Sequence, residues 1–450
     1  MTDLPELLKK VAEELKPLPE TVDRTRDVAT RLMGRLETFF GAGKVSVEGS
    51  FAKGTMLRGK EEADIFVHFE KTFPVDDACR LVVDKGVEVI RDEGGSFRLR
   101  YANHPYVEGF VDGIRVNIVP CYDAEYGKWI TPVDRTPYHT RYVKTHLSPD
   151  MADEVRLLKA FLINDNLYGA EVKVKGFSGY VCELLIIRFR SFASLVMEAS
   201  RWKPPVVLDE EAGITGAPLV LRDPVDPQRN TAAAVSLSAL SNFIMKSKLF
   251  LKNPSTKFFL EKSSLKGLVN GRSFLGLVFE LPQQPPDVLW GELSRTVGGL
   301  WRGLEQHGFK VLRGDRWADS HRGVIVFELE SNILPPVMLN RGPPVWAKTA
   351  VDFVEEQFTK EELLAYPWVS GDRLYSLLRR KHTEASETIQ MLIETGKAAI
   401  SKNLKQYIVN AKIYSDPLQL TADLSGEEAN FFMEFVRTCP NYIAHYASSI

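Results

Sequence analysis

Cysteine is scarce: the 450 residues hold four, Cys79, Cys121, Cys182 and Cys439. They lie far apart and none forms a Cys-x-x-Cys pair. That excludes a zinc ribbon and a disulfide-stapled scaffold, and points to a reducing, cytoplasmic setting. Net charge is lacking too, at -2. A nucleic-acid partner would then have to be held by local basic surface and shape, because the chain as a whole offers no attraction. No uninterrupted apolar run reaches the roughly 18 residues of a membrane span. The most apolar stretch, Val181 to Ile187, reads as a buried helix. The N-terminus mixes acids and lysines on an amphipathic helix and lacks the apolar centre of a signal peptide. Internal repeats, low-complexity segments, a GxxxxGK[ST] phosphate loop and an HExxH zinc motif are all absent.

What is present is an ordinary globular composition, 44% hydrophobic and 26% charged, in a chain long enough for several domains. Residues 1–40 read as helical, with Gly41-Ala42-Gly43 as the stop. Val45-Ser46-Val47 and Ala63 to Phe69 read as strands. Asp112-Gly113 between apolar runs signals a hairpin over Val107 to Val119. This is a mixed unit of about 145 residues, near the common domain size. At Leu147-Ser148-Pro149-Asp150 the texture changes, with Ser148 or Asp150 as a helix cap. Residues 148–262 are mainly helical, with Ala152 to Asn164 and Gly179 to Phe192 as the clearest helices. From 263 the pattern is mixed again: strands at Ser273 to Glu280, Phe309 to Leu312 and Gly323 to Glu330, and a helix at Leu289 to His307. Helices dominate the last hundred residues. The fold class is therefore α+β and multidomain, with boundaries at 1–147, 148–262 and 263–450.

One constellation carries chemistry. Glu62 and Asp64 stand two apart on a strand, so both carboxylates project from the same face. Two such acids repel unless a cation joins them, and hard oxygen ligands suit magnesium. Twelve residues before Glu62, Gly49-Ser50 follows a strand. Glycine admits close backbone approach, and the amides that follow it, with the Ser50 hydroxyl, can donate to phosphate. Lys53 adds a positive charge. Either element alone is commonplace, since most Gly-Ser turns are only turns and most Glu-x-Asp strands are solvated. Their order and spacing together describe a triphosphate cradle beside a metal site, and hence metal-assisted nucleotidyl transfer.

These residues resemble the signature of the DNA-polymerase-β-type nucleotidyltransferases: Gly-Ser, then acid-x-acid, then a third acid on a later strand. Further motifs resemble the archaeal, class I CCA-adding enzymes: His104-Pro-Tyr-Val107, Val119-Pro-Cys-Tyr122, Val133-Asp-Arg-Thr-Pro137, Glu154 to Lys159, Tyr168-Gly-Ala-Glu171, Gly176-Phe-Ser-Gly-Tyr180 and Asp223 to Asn230. They run in family order. The resemblance implies a polymerase-β-like palm over 1–147, a helical domain over 148–262 that binds nucleotide and the tRNA end, and a tRNA-binding body and tail over 263–450. It implies template-independent addition of C, C and A to the tRNA 3′ end from CTP and ATP, with Mg2+ as cofactor. A homodimer is one assembly state open to it.

Carried over singly, Gly49, Ser50 and Lys53 would cradle the triphosphate, although the family usually has arginine at the Lys53 position. Glu62 and Asp64 would hold magnesium. His139 and Lys159 would touch phosphates, Tyr168 would pack near the nucleotide, and Arg229 would help select the base. Without that context Lys159 reads as a surface lysine, Tyr168 as a hydrophobic cap, His139 as an ordinary polar residue, and Arg229 as a brace against Asp226. For the RNA track the candidates are Arg313, Arg316 and Trp317 in a hairpin facing the tRNA elbow, and Arg379, Arg380, Lys381 and His382 on a late helix. A solvated face is the plain alternative for both groups.

One residue departs from the pattern. Where the family has its third carboxylate, this chain has Asn117, which brings no charge and cannot accept a proton. Asp112, five residues away on a continuous strand, faces the other side, and Asp123 lies beyond Pro120. Asn103 likewise stands where an acid is expected. Two rivals to CCA addition stay open: another template-independent RNA nucleotidyltransferase, and a tRNA-binding homologue whose catalysis has lapsed at Asn117.

Overall fold

The computed structural model describes residues 3–101, 105–209, 216–262, 267 and 269–448. Asn103 and His104 lie outside the described residues. The chain divides into two compact units, one of Met1–Ser264 with Cys439–Ile450, the other of Leu265–Thr438. The architecture is α+β and multidomain, as the sequence implies.

The first unit opens with helices α1 (Leu4–Leu15) and α2 (Pro19–Phe40). Each carries proline in its first turn, where the missing N–H costs nothing, and Lys16 to Leu18 separate the two helices. Gly41, at φ 100°, ends α2 where the glycines predict. Next come β1 (Val45–Glu48), the one-turn helix α3 (Gly49–Ala52), β2 (Glu62–Phe69), α4 (Val75–Asp92), β3 (Ser96–Tyr101), β4 (Pro105–Val111) and β5 (Ile114–Tyr122). They form a sheet of order β1-β2-β5-β4-β3, in which only β2 and β5 run parallel. The β4–β5 hairpin turns at Asp112 and Gly113, both at positive φ, the geometry a two-residue turn of matching twist requires. Ala63, Ile65, Val67, Val116 and Ile118 face one side and are sealed under α2 and α4 with Val28, Leu32, Val82 and Ile90. The alternate residues face the other side, and this is the surface that carries the acids.

The helical part follows: α5 (Thr136–His146), α6 (Pro149–Ile163), α7 (Gly179–Phe189), α8 (Phe192–Ala199), the short strands β6 (Val206–Val207) and β7 (Leu219–Val220), α9 (Leu237–Lys252) and α10 (Lys257–Leu260). Ser148 takes the N-cap of α6. The helix expected over Gly179 to Phe192 is two helices, because Arg190 is left-handed at φ 69° and Ser191 caps α8 through Ser194 N–H. Phe161, Phe192, Phe250 and Phe259 interlock as a buried aromatic cluster.

In the second unit, β8 (Ser273–Glu280), α11 (Pro286–Gln306), β9 (Val311–Ala318) and β10 (Arg322–Leu329) precede β11 (Val337–Pro344), α12 (Ala350–Phe358), β12 (Leu363–Ser370) and β13 (Arg373–Arg379). Then come α13 (Ala385–Glu394), α14 (Lys405–Ile408), β14 (Lys412–Tyr414), α15 (Pro417–Asp423) and α16 (Gly426–Arg437). The sheets have orders β14-β8-β10-β9 and β11-β13-β12. Helices do dominate the last hundred residues, as the sequence implies, but β12 and β13 of the second sheet interrupt them. In β13, Leu374, Ser376 and Leu378 are buried in alternation with their neighbours, which is strand periodicity. Arg379 therefore ends a strand, and Arg380, Lys381 and His382 precede α13 rather than lying on a helix.

The final helix, α17 (Asn441–Ala447), belongs to the first unit, whereas the sequence pattern assigns residues 263–450 to one region. Asn441 Nδ2 donates to Asn164 O at 2.6 Å, Tyr442 Oη donates to Asn242 Oδ1 at 2.9 Å, and Tyr442 packs into the phenylalanine-rich core. A short polar-and-aromatic helix gives no local sign of which distant core it completes.

Candidate active site

The register of the first sheet lines up one row of side chains across its open face. Glu48 on β1 pairs with Asp64 on β2, Asp64 with Asn117 on β5, Asn117 with Glu108 on β4, and Glu108 with Arg98 on β3. Directly paired residues point to the same face. One step along the strands, Glu62 pairs with Arg115, and their side chains are in contact. The sheet thus brings Glu62, Asp64 and Asn117 together, as their strand positions imply.

Asp64 is only half-buried by exposed area, but its carboxyl is closely surrounded. Asn117 Nδ2 donates to its Oδ1 at 2.8 Å. Its Oδ2 lies where a side chain on Gly49 would be, 1.9 Å from the position of a Cβ, and Gly49 sits at φ 73°. Only glycine fits there, on both counts. Desolvation pushes the Asp64 carboxyl above its ordinary value, while the Asn117 hydrogen bond and the field of Lys53 pull the other way. Among the described residues Asp64 makes no ion pair, and neighbouring Glu48 has a buried Oε2 without a hydrogen-bond partner. Crowded oxyanion oxygens with no cation fit a hard divalent ion. No group of three His, Cys, Asp or Glu is placed to hold a metal among the described residues. Glu62 and Asp64, with the Asn117 amide, could supply part of a shell that substrate phosphate and water would complete.

Beside this face lies a buried cationic network. Lys53 Nζ donates to Glu183 Oε2 at 2.6 Å, and Thr55 Oγ1 donates to Glu183 Oε1 at 2.7 Å. Lys159 is buried, not a surface lysine, and Nζ donates to Thr55 O at 2.9 Å. Burial lowers its pKa, which the charge of Glu183 partly offsets. Tyr168 Oη would stand 2.9 Å from a Cβ on Gly179, so that glycine lets the ring lie over the start of α7. Burial raises the Tyr168 pKa, with smaller contributions from Cys182, Glu183, Glu171 and Asp64.

A second hub is Asp223, fully buried. His139 Nε2 lies 2.9 Å from its Oδ2, Arg229 Nη1 donates to Oδ2 at 2.8 Å, and Tyr180 Oη donates to Oδ1 at 3.2 Å. His139 stacks on Tyr180 with ring centres 3.9 Å apart, and Lys53 Nζ lies 5.9 Å from the same ring. Arg229 is thus braced by Asp223; the side chain of Asp226 pairs instead with Arg135, at 2.7 Å. Sequence reasoning passed over Asp223, Tyr180, Glu183, Glu48 and Glu108. The first two stand in the quoted motifs, where buried polar residues beside glycine and proline were the available signal.

Burial alone would raise the Asp223 pKa. The hydrogen bond and charge of His139, the Val225 N–H and Arg229 outweigh it and hold the group at about 2, against an ordinary 3.8. A depressed folded pKa means stability present above 3.8 and lost as pH falls toward 2. Denaturant titrations should therefore show a stability loss between pH 4 and 2 that is larger in the wild type than in Asp223→Asn. An identical pH profile for the two would refute this assignment.

In the second unit the expected hairpin forms as β9 and β10. Trp317 is buried with Phe274, Val278 and Phe432, Arg313 pairs with Glu328 and lies over the Phe435 ring, and Arg316 neighbours Asp315. Arg380 donates to Pro335 O and His307 O, and Lys381 pairs with Glu362. The two groups of RNA candidates thus stand largely in partnerships within the protein.

Comparison with known proteins identifies the family. Residues 30–139 match the nucleotidyltransferase domain family, residues 153–260 the second domain of tRNA nucleotidyltransferases, and residues 270–416 the C-terminal domain of CCA-adding enzymes. A CCA-adding enzyme of Pyrobaculum islandicum is 36% identical over 414 residues, covering 90% of this chain and 97% of the relative. That of Saccharolobus solfataricus is 37% identical over 388 residues, covering 85% and 90%. Among solved structures, a Cid1 poly(U) polymerase variant bound to MgATP superposes with a TM-score of 0.47 at 14% identity, over 57% of this chain and 98% of that one. The chain belongs to the family of the CCA-adding enzymes.

Proposed function

We propose that this chain adds C, C and A to the 3′ end of tRNA, drawing on CTP and ATP, with Mg2+ held by Glu62, Asp64 and the Asn117 amide oxygen. The observation that carries the reading is Asp64: a crowded carboxyl with no ion pair among the described residues, pressed against Gly49, beside Glu62 on the same face. When bound, the ion would neutralise these acids and polarise the phosphoryl group under attack.

The chain's own groups supply the rest. Gly49 and Ser50 present backbone and hydroxyl donors to the triphosphate, and Lys53 contributes charge from the edge of its ion pair with Glu183. Lys159 acts from below by holding Thr55, which steadies the loop that follows the cradle. Tyr168 bounds the nucleotide, and Arg229, set by Asp223, faces the base. The 3′-hydroxyl oxygen of the RNA bonds to the α-phosphorus, the bond to the β-phosphate bridge breaks, and diphosphate leaves with its electron pair. The hydroxyl proton passes to solvent, since Asn117 offers no base. Four free cysteines, three of them buried, suit a reducing cytoplasm, and no helix among the described residues is long and apolar enough to cross a membrane.

Incubation with tRNA lacking its terminal CCA and labelled CTP, then ATP, is expected to give two C additions and one A addition. Incorporation of A or U alone, or on any RNA, would favour another terminal nucleotidyltransferase. RNA binding with no incorporation, even with manganese, would favour a lapsed homologue.

A further inference from the structure

Resting on that reading, we propose that Arg98, Arg100 and Arg115, gathered on buried Glu108 beside exposed Phe110, bind the single-stranded 3′ end of the RNA. The sheet order supplies the direction. Gly49-Ser50 lies beyond β1, on one side of the β2 acids; β5, β4 and β3 lie on the other. In an in-line displacement the attacking and leaving oxygens stand on opposite sides of the phosphorus. A triphosphate tail over Gly49 therefore requires the attacking strand to arrive across β5, β4 and β3.

That stretch of the open face is built for an anion. Glu108 is 3% exposed, unusual for a lone acid on a sheet face. Arg98 meets it with Nε and Nη2, the latter at 3.0 Å, Arg100 Nε donates to it at 2.6 Å, and Arg115 Nη1 lies 3.7 Å away. One carboxylate cannot neutralise three guanidiniums, even with Glu62 taking a share of Arg115. Arg98 spends two of its five N–H donors on Glu108 and Arg100 one, so fixed forks retain donors for phosphate. The Arg98 guanidinium lies 5.6 Å from the centre of the Phe110 ring, which is 39% exposed. An exposed ring interleaved with arginines is a stacking surface for unpaired bases. The chemistry recognised is a phosphodiester strand with splayed bases.

Equilibrium binding without nucleotide tests this, using tRNA that lacks its CCA and a second tRNA trimmed to the last base pair of the acceptor stem. The Arg98→Gln/Arg100→Gln protein should bind the first RNA about tenfold more weakly, with a salt slope shallower by about 1.4 for two lost contacts to a single strand. Both proteins should bind the trimmed RNA alike, and the KM for CTP should stay within about twofold. Phe110→Ala leaves the Glu108 cluster intact and should cost about fivefold in affinity. If the double variant fails to fold, Phe110→Ala and Arg98→Lys decide. Unchanged RNA affinity and salt slope would overturn the proposal, as would a rise in the KM for CTP with RNA binding intact. Because binding is read without turnover, a wild type that binds but does not incorporate CTP counts against the proposed reaction and leaves this site standing.

Discussion

Asn117→Asp should raise the turnover of CTP addition by about tenfold or more and lower the melting temperature of the metal-free protein. Both effects follow from one hydrogen bond. Asn117 Nδ2 donates to Asp64 Oδ1 at 2.8 Å, across paired positions of parallel strands. The amide quiets a crowded carboxyl that has no cation, so it favours the empty site. Aspartate there sets two anions side by side, which disfavours the empty state and favours the ion-bound one. A lost charged ligand to a transition state commonly costs about 2.7–4 kcal/mol, a factor of about 10²–10³ in rate. Tenfold is the lower bound, because the amide oxygen of Asn117 would still be able to ligate if the side chain turned. Steady-state incorporation on tRNA lacking its CCA measures the first effect; calorimetry with and without magnesium measures the second. Equal turnover would mean that Asn117 has no bearing on the reaction centre.

Glu183→Ala should cost about 3–5 kcal/mol of folding stability, the usual cost of stranding one side of a buried ion pair. Glu183 is fully buried and binds both Lys53 and Thr55, and Lys159 is buried on the same Thr55. Removing the carboxylate takes away the ion-pair partner of Lys53 and the nearest negative charge to buried Lys159, beneath the loop that follows Gly49. Glu183→Gln keeps a hydrogen-bond acceptor for Thr55 and should fall between wild type and alanine. Urea denaturation of the full chain, following the transition of the first unit, gives the comparison. A loss under about 1 kcal/mol would place this network among the energetically idle surface pairs.

The two predictions differ in how far the sequence anticipates them. Asn117 is visible as an anomaly because the resemblance calls for a third carboxylate within Arg115 to Pro120 and an amide stands there. Glu183 is hidden. It lies in the apolar run Val181 to Ile187, and nothing local reveals that Lys53, 130 residues earlier, is its partner. Asp223 is hidden in the same way: His139 is 84 residues away from it. The error over Arg380 and Lys381 has a different origin. Basic residues flanked by leucines suit either period, and the choice of strand over helix depends on the burial of Leu374 and Leu378 against a neighbouring layer.

What the sequence determines alone is whatever depends on neighbours along the chain: that Glu62 and Asp64 share a face, that Asp112-Gly113 turns a hairpin, that glycine at 49 admits close backbone approach, and that the family motifs stand in order. Tertiary structure decides what depends on which strands lie side by side. It places Glu108 opposite Asn117, sets three arginines around Glu108 on the β5–β4–β3 side of the acids, joins Lys53, Thr55 and Lys159 in one network at Glu183, and returns α17 to the first unit. Strand order and long-range pairing are set by the burial of whole faces, a sum over many distant residues, and no short stretch of sequence carries that sum.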